Sequence, residues 1–222
     1  MPPKTRTREE IEEVKEKILR HALDLITEKG WEGFSMHKLA ERLGVKAVTI
    51  YSYYENKDHL YIAIRTRGFQ LIFQECHKAY ESEQEPMRRL EAMSRAYLNF
   101  GLSQPNIYDL MFTWRVPMYR DYIGTPMEDA ARFEYEESQK LYFLVIQATR
   151  ELAETVAPIS DEEVREQVIY FGGTLHGYIA RINNNLLSYM HDDPIGLKEN
   201  ILEITFRHIK TDLLQNRSTS GE

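Results

Sequence analysis

The chain has 222 residues, 42% of them apolar and 28% charged, with a formal net charge of −7. That supplies one large or two small hydrophobic cores and a soluble surface. A single cysteine, Cys76, rules out an intramolecular disulfide and suits a reducing compartment. The polar start MPPKTRTREE carries no secretory pattern, and the uncharged run over 167–180 is too short to cross a bilayer. A cytoplasmic protein without a membrane partner is therefore expected. The charge is uneven. Residues 1–65 hold 12 basic and 11 acidic residues, a net of +1, while the remainder carries −8. Binding to a polyanion needs only a local basic face, which Lys4, Arg6, Arg8, Lys38, Lys46 and Lys57 supply.

Residues 1–6 are polar, contain two prolines and read as disordered. Arg6 and Arg8 fit a loose DNA arm and solvated charge equally. Thr7 with Glu10 predicts a capping box. Ile11, Val14, Ile18, Ala22, Leu25 and Ile26 follow at spacings of three and four, the stripe of an amphipathic helix that Gly30 ends. Residues 34–57, FSMHKLAERLGVKAVTIYSYYENK, then predict helix, turn, helix. Ser35 caps the first of these and Leu39, Ala40 and Leu43 share its inner face. Gly44 turns the chain, and a second helix over 46–54 buries Ile50 with Tyr53 or Tyr54. Small Ala40 sits where two steeply crossing helices come closest, which is the helix-turn-helix pattern.

Asn56 caps a long helix to about residue 82, and Pro86 opens a fifth carrying Leu90, Met93, Tyr97, Leu98 and Phe100. Gln104-Pro105 stops it, and 107–114 form a short apolar sixth helix. The stretch 116–127 reads as a loop, either a gate or a plain connector. A seventh helix spans about 127–156. Ser160 with Glu163 makes a second capping box for an eighth, and Asp193-Pro194 is expected to start a ninth that runs through Leu213 to a polar tail. No strand pattern or internal repeat appears. The expected fold is all-α with about nine helices, divided into 1–56, 57–216 and a tail at 217–222.

The run Gly30-Trp31-Glu32-Gly33-Phe34-Ser35, with Leu39-Ala40, Leu43-Gly44-Val45, Thr49-Ile50-Tyr51, Tyr53-Tyr54, Lys57 and Leu60, resembles the DNA-binding domain of the TetR family of bacterial transcriptional regulators. Tyr54 replaces the family's usual Phe but keeps the ring. The resemblance implies DNA contacts by Ala47, Val48, Thr49, Tyr51, Ser52, Tyr53 and Lys57. For Tyr53, core packing is an equal alternative. Ser35, His37 and Lys46 are added from their places at helix starts. With no Arg or Asn on the exposed face, bidentate base contacts are limited. Around Thr174-Leu175-His176-Gly177 the chain also resembles a subtype of the family with a His-Gly pair on the eighth helix.

The family's dimers use the last two helices. Here Gly173, Gly177 and Ala180 allow close approach of a second helix, and Leu202, Phe206 and Ile209 are expected to join them. A dimer implies a pseudo-palindromic double-stranded operator. Tyr97, Phe100, Met111, Phe112, Trp114, Tyr142, Phe171, His176 and Tyr178 form the pool for a small-molecule pocket, each serving core packing as readily. The seven histidines show no metal-binding spacing, and neither a phosphate loop nor a nucleophile elbow occurs, so no enzyme and no cofactor are expected. The leading expectation is a dimeric repressor released by a ligand, with the long fourth helix as transmitter. The rivals are an inducer-independent DNA binder and a helical adaptor.

Overall fold

The computed structural model describes residues 7–114 and 117–219, the side chains of 212–219 excepted. The expected disordered start, with Lys4 and Arg6, and the last residues of the tail lie outside the described residues. Among the described residues there are nine α-helices and no strand. They are α1 (Arg8–Gly33), α2 (Met36–Leu43), α3 (Ala47–Tyr51), α4 (Lys57–Glu81), α5 (Pro86–Ser103), α6 (Pro105–Phe112), α7 (Glu128–Glu154), α8 (Asp161–Asn183) and α9 (Lys198–Thr219). The chain forms two compact units. The first takes in everything up to Gly68 together with Trp114–Tyr135, and the second comprises Phe69–Thr113 and everything from Glu136 onward. The helices α4 and α7 therefore each contribute to both.

Local signals act as the sequence suggests. Thr7 and Ser160 close full capping boxes with Glu10 and Glu163. Ser35 Oγ accepts from Lys38 N, and Asn56 Oδ1 from His59 N. At Gly30 the helical path breaks (φ 70°, ψ 168°), and one further turn carries the chain to Gly33. Three boundaries differ. The second motif helix is only Ala47–Tyr51, because Ser52 Oγ donates to Thr49 O and the chain turns out as Tyr53 and Tyr54 N both reach Ile50 O. The sixth helix starts two residues earlier, with Pro105 at its first position. The ninth starts at Lys198 rather than at Pro194. Asp193 Oδ1 accepts from Gly196 N and closes a turn there, as an Asp-Pro-x-Gly sequence favours. The expected loop beyond Pro117 holds a short 3₁₀ turn at Tyr119–Tyr122.

In the first unit Ala22, Ile26, Leu39, Ile50, Leu60 and Ile64 form the core. Beside them lies an ion pair, Arg65 Nη2 to Glu134 Oε1 at 3.0 Å, with both side chains about 95% buried. Burial raises the Glu134 carboxyl above its ordinary pKa, and Arg65 pulls it only part of the way back. In the second unit α5 packs against α8 and α9. Gly101 permits the closest approach, since a Cβ there would lie 2.6 Å from Ile179 Cδ1. Arg95 pairs with Glu199 at 2.8 Å, and Tyr80, Arg89 and Gln147 converge on Glu151.

Candidate functional site

Two places in the molecule have the makings of a site, one in each unit. In the first, α2 ends in a Schellman turn. Gly44 takes φ 66° and ψ 30°, Val45 N donates to Ala40 O, and Gly44 N donates to Glu41 O. This pins the start of α3. A five-residue helix has almost no stability of its own, so α3 is held by this turn and by Ile50, which is 1% exposed. The opposite side faces outward. Val48 is 70% exposed and Tyr51 42%, Lys46 and Ser52 are exposed, and Ala47 and Thr49 are half-buried. The His37 ring meets the Tyr51 ring edge-on with centroids 6.4 Å apart, so the starts of the two helices share one surface. Lys38, also exposed, reaches back to Gly33 O at 2.7 Å.

Some expected contacts are engaged elsewhere. Lys57 Nζ donates to Trp31 O and sits over the indole, 3.9 Å from its centroid. The Ser52 proton goes to Thr49 O, which leaves its oxygen to accept rather than donate. The Ser35 oxygen caps α2. Tyr53 is half-buried and Tyr54 buried, so Tyr54 is the ring that seals the core. What remains outward is a small-residue face of Ala47, Val48 and Thr49, flanked by the Tyr51 phenol, His37 and the Lys46 ammonium. Such a face suits apolar contact with a thymine methyl and single hydrogen bonds to phosphates.

The second place is a cavity of about 230 Å³ within the second unit. Phe69 and Cys76 of α4, Leu90, Met93, Ser94 and Tyr97 of α5, and Phe112 of α6 line one part. Ser138, Leu141, Tyr142 and Val145 of α7 and Val168, Phe171, Gly172 and Leu175 of α8 complete it. None of these residues is charged. Burial pushes the Cys76 thiol up to about 12, so it is neutral, and it donates to Met93 O. Behind the wall, Tyr97 Oη lies 2.9 Å from Tyr108 Oη, which lies 2.9 Å from His176 Nδ1.

The family described as bacterial regulatory proteins of the tetR family matches residues 18–64, across α1 to α4. The tetracyclin repressor-like C-terminal domain matches residues 90–194, from α5 through α8. This chain belongs to the TetR family. A curated relative is the biofilm operon icaADBC HTH-type negative transcriptional regulator IcaR of Staphylococcus epidermidis, 31% identical over 48 residues, which is 22% of this chain. The match spans about a quarter, 26%, of that regulator's length. Among solved structures, the fatty acid degradation regulator FadR from Bacillus halodurans superposes with a TM-score of 0.68 at 15% identity, covering 91% of this chain and 97% of that one. FadR from Bacillus subtilis, solved in complex with stearoyl-CoA, gives a TM-score of 0.65 at 15% identity, covering 86% and 97%. At such identities these two likenesses speak for the fold. The chain is thus a TetR-family, DNA-binding transcriptional regulator rather than an enzyme, and no helix among its described residues is long and apolar enough to cross a membrane.

Of the aromatic pool in this TetR-family chain, Tyr97, Phe112, Tyr142 and Phe171 line the cavity. His176 stands one residue behind it. Phe100 and Met111 are buried away from it, Trp114 belongs to the first unit, and Tyr178 donates to Pro194 O at 2.7 Å. Leu202, Phe206 and Ile209, expected at a dimer interface, are 3%, 6% and 4% exposed in the single chain, within the second unit. The outward apolar residues of α8 are Ile169 and Tyr170, in line with Gly173 and Gly177, while Ala180 is half-buried and Ile204 is the outward residue of α9. Sequence reasoning missed Cys76, Leu90 and Met93 as cavity walls and Tyr108 as a hydrogen-bonding centre. The one usable signal was Tyr108 itself, a phenol on an apolar helix that needs a partner once buried.

Proposed function

We propose that the protein is a homodimeric repressor, acting in the cytoplasm, whose hold on a pseudo-palindromic operator is released by a small uncharged ligand. The observation that carries the ligand half is the cavity. A partly open pocket of about 230 Å³, lined by five helices and almost wholly apolar, is the kind of concavity that takes a small molecule. Its uncharged walls favour a compact, lipophilic molecule. The stearoyl-CoA bound by the Bacillus subtilis neighbour carries phosphates for which these walls have no counter-charge. The DNA half rests on the outward face of α3 with His37 and Lys46. The second copy is best accommodated on Ile169, Tyr170, Gly173 and Gly177, whose spacing forms one stripe of α8 with glycines that admit a neighbouring helix. Because α4 runs from Lys57, beside the motif, to Cys76 in the cavity wall, it is the element through which ligand and operator compete.

The test is binding of the purified protein to its own upstream DNA at several salt concentrations, followed by a screen of uncharged lipophiles for release. Selective binding by a dimer that weakens steeply with salt, and release by a compound that also raises thermal stability, are expected. A monomer with no site preference on any genomic fragment would overturn the DNA half. A protein that binds selectively but is neither released nor stabilised by any compound would overturn the ligand half. Tyr170→Glu should yield monomers and abolish operator binding while leaving helicity intact.

A further inference from the structure

Each of the five helices around the cavity gives it one aromatic ring: Phe69 of α4, Tyr97 of α5, Phe112 of α6, Tyr142 of α7 and Phe171 of α8. Three of them meet at one corner. Phe69 and Phe112 stand edge to face with centroids 5.7 Å apart, and Tyr97 is tilted against Phe112 at 6.3 Å. The sulfurs of Cys76 and Met93 add two soft groups of the kind that pack on ring edges. On α8, Gly172 leaves its stretch of the wall open, since a Cβ there would meet nothing within 4 Å. The polar groups of the wall already have partners. Ser94 Oγ donates to Leu90 O, the Cys76 thiol donates to Met93 O, and Ser138 Oγ accepts from Gln139 Nε2. The Tyr97 hydroxyl is held by Tyr108, whichever of the two donates, so the cavity meets the Tyr97 ring. Tyr142 is 37% exposed and stands at the mouth, where water serves its hydroxyl.

We infer that the cavity is a site for a flat aromatic molecule of two fused rings, with no hydrogen-bonding group on the part that enters. The inference rests on the reading of the cavity as a ligand site and adds the chemical class of what it takes. Size sets the number of rings. An apolar cavity of about 150 Å³ takes one benzene, and naphthalene is about half again as large as benzene. The volume here, about 230 Å³, exceeds that benzene cavity in the same proportion. The wall sets the rest. A polar group on the ligand would leave water and find the wall's partners taken, which costs affinity. A flat ring meets the faces and edges of the wall rings, and each such pair adds to what burial alone supplies. A saturated molecule of similar volume gains the burial without the ring pairs. A flexible chain also gives up rotamer freedom on entering.

The experiment measures binding of naphthalene, trans-decalin, quinoline and n-decane to the full chain by equilibrium dialysis. Each affinity is referred to that compound's own transfer from water into hexadecane, which removes plain differences in hydrophobicity. Decalin has the two-ring skeleton without aromaticity, quinoline is naphthalene with one accepting ring nitrogen, and decane is a chain. On that scale wild type should prefer naphthalene to decalin and to decane by about 2- to 12-fold for each ring pair formed, and quinoline should gain nothing over naphthalene. Phe112→Leu removes one ring and keeps an apolar side chain. It should lower naphthalene binding within the same range and leave decalin unchanged. The comparison on wild type stands even if the variant fails to fold. Decalin or decane bound as well as naphthalene, quinoline bound better than naphthalene, or a preference untouched by Phe112→Leu would each overturn the aromatic assignment and leave the ligand site intact. Binding of none of the four would remove the ligand site and the assignment with it.

Discussion

Val48 on α3 is 70% exposed, whereas Leu175 on α8 is 2% exposed, and each belongs to the candidate site of its own unit. In the first unit the core holds a short helix so that its outer side chains stay free. In the second, the candidate site is a pocket within the core itself. Two carboxylates, one in each unit, show the same contrast. Glu134 in the first unit is raised by burial, which Arg65 offsets only in part. For Glu151 in the second unit burial also raises the carboxyl, but hydrogen bonds from Tyr80, Gln147 and Arg89 outweigh it and the net shift is downward.

The sharpest way to break this contrast is Arg65→Ala, which leaves Glu134 buried without its cation. It should destabilise the protein by about 3–5 kcal/mol in urea unfolding, and the paired change Arg65→Met with Glu134→Leu should recover most of that. In the second unit Gly101→Ala forces a Cβ against Ile179 and should cost about 1–3 kcal/mol. Gly172→Ala, by contrast, meets nothing within 4 Å and sits in a helix. It should raise stability by about 0.5–1 kcal/mol in the same assay while narrowing the cavity. If Gly172→Ala destabilises instead, the walls are not as described.

Much of the first unit was legible in the sequence because its determinants are local. Thr7 with Glu10, Ser35, Gly44 and Ile50 each act within a few residues of themselves, so type and spacing suffice. The cavity was not legible. It arises from what Leu90, Met93 and Val168 fail to fill together, and each of them alone is an ordinary core residue. The same blindness affected α9. Leu202, Phe206 and Ile209 sit on one apolar side and Ile204 on another, and periodicity cannot say which side meets the chain's own core. Lys57 was placed on DNA through a family likeness, but its ammonium rests on Trp31, whose ring lies far enough upstream that no local rule pairs them.

Two smaller effects separate the units further. Lys46→Ala should leave the melting temperature unchanged while making DNA binding less sensitive to salt. Its log–log slope should fall by about 0.9 for each phosphate the side chain no longer neutralises. The pH responses should run in opposite directions. Glu151, lowered in the folded chain, contributes stability that is present above the ordinary glutamate range and is lost as pH falls through its folded value. Glu134, raised in the folded chain, contributes stability that is present below that range and is lost as pH rises through its folded value. Unfolding midpoints measured against pH should therefore lose their acid-side decline in Glu151→Gln and their decline on raising pH in Glu134→Gln.

The brevity of α3 has a consequence for how such a protein changes over generations. With Ile50 and the Gly44 turn fixing its placement, Val48 and Tyr51 carry almost no packing duty. On the proposed reading of α3, a lineage can rewrite those two positions, and with them the DNA word, without reopening the problem of folding. After gene duplication, two copies can part ways at the operator long before they differ in the architecture that holds the reader in place.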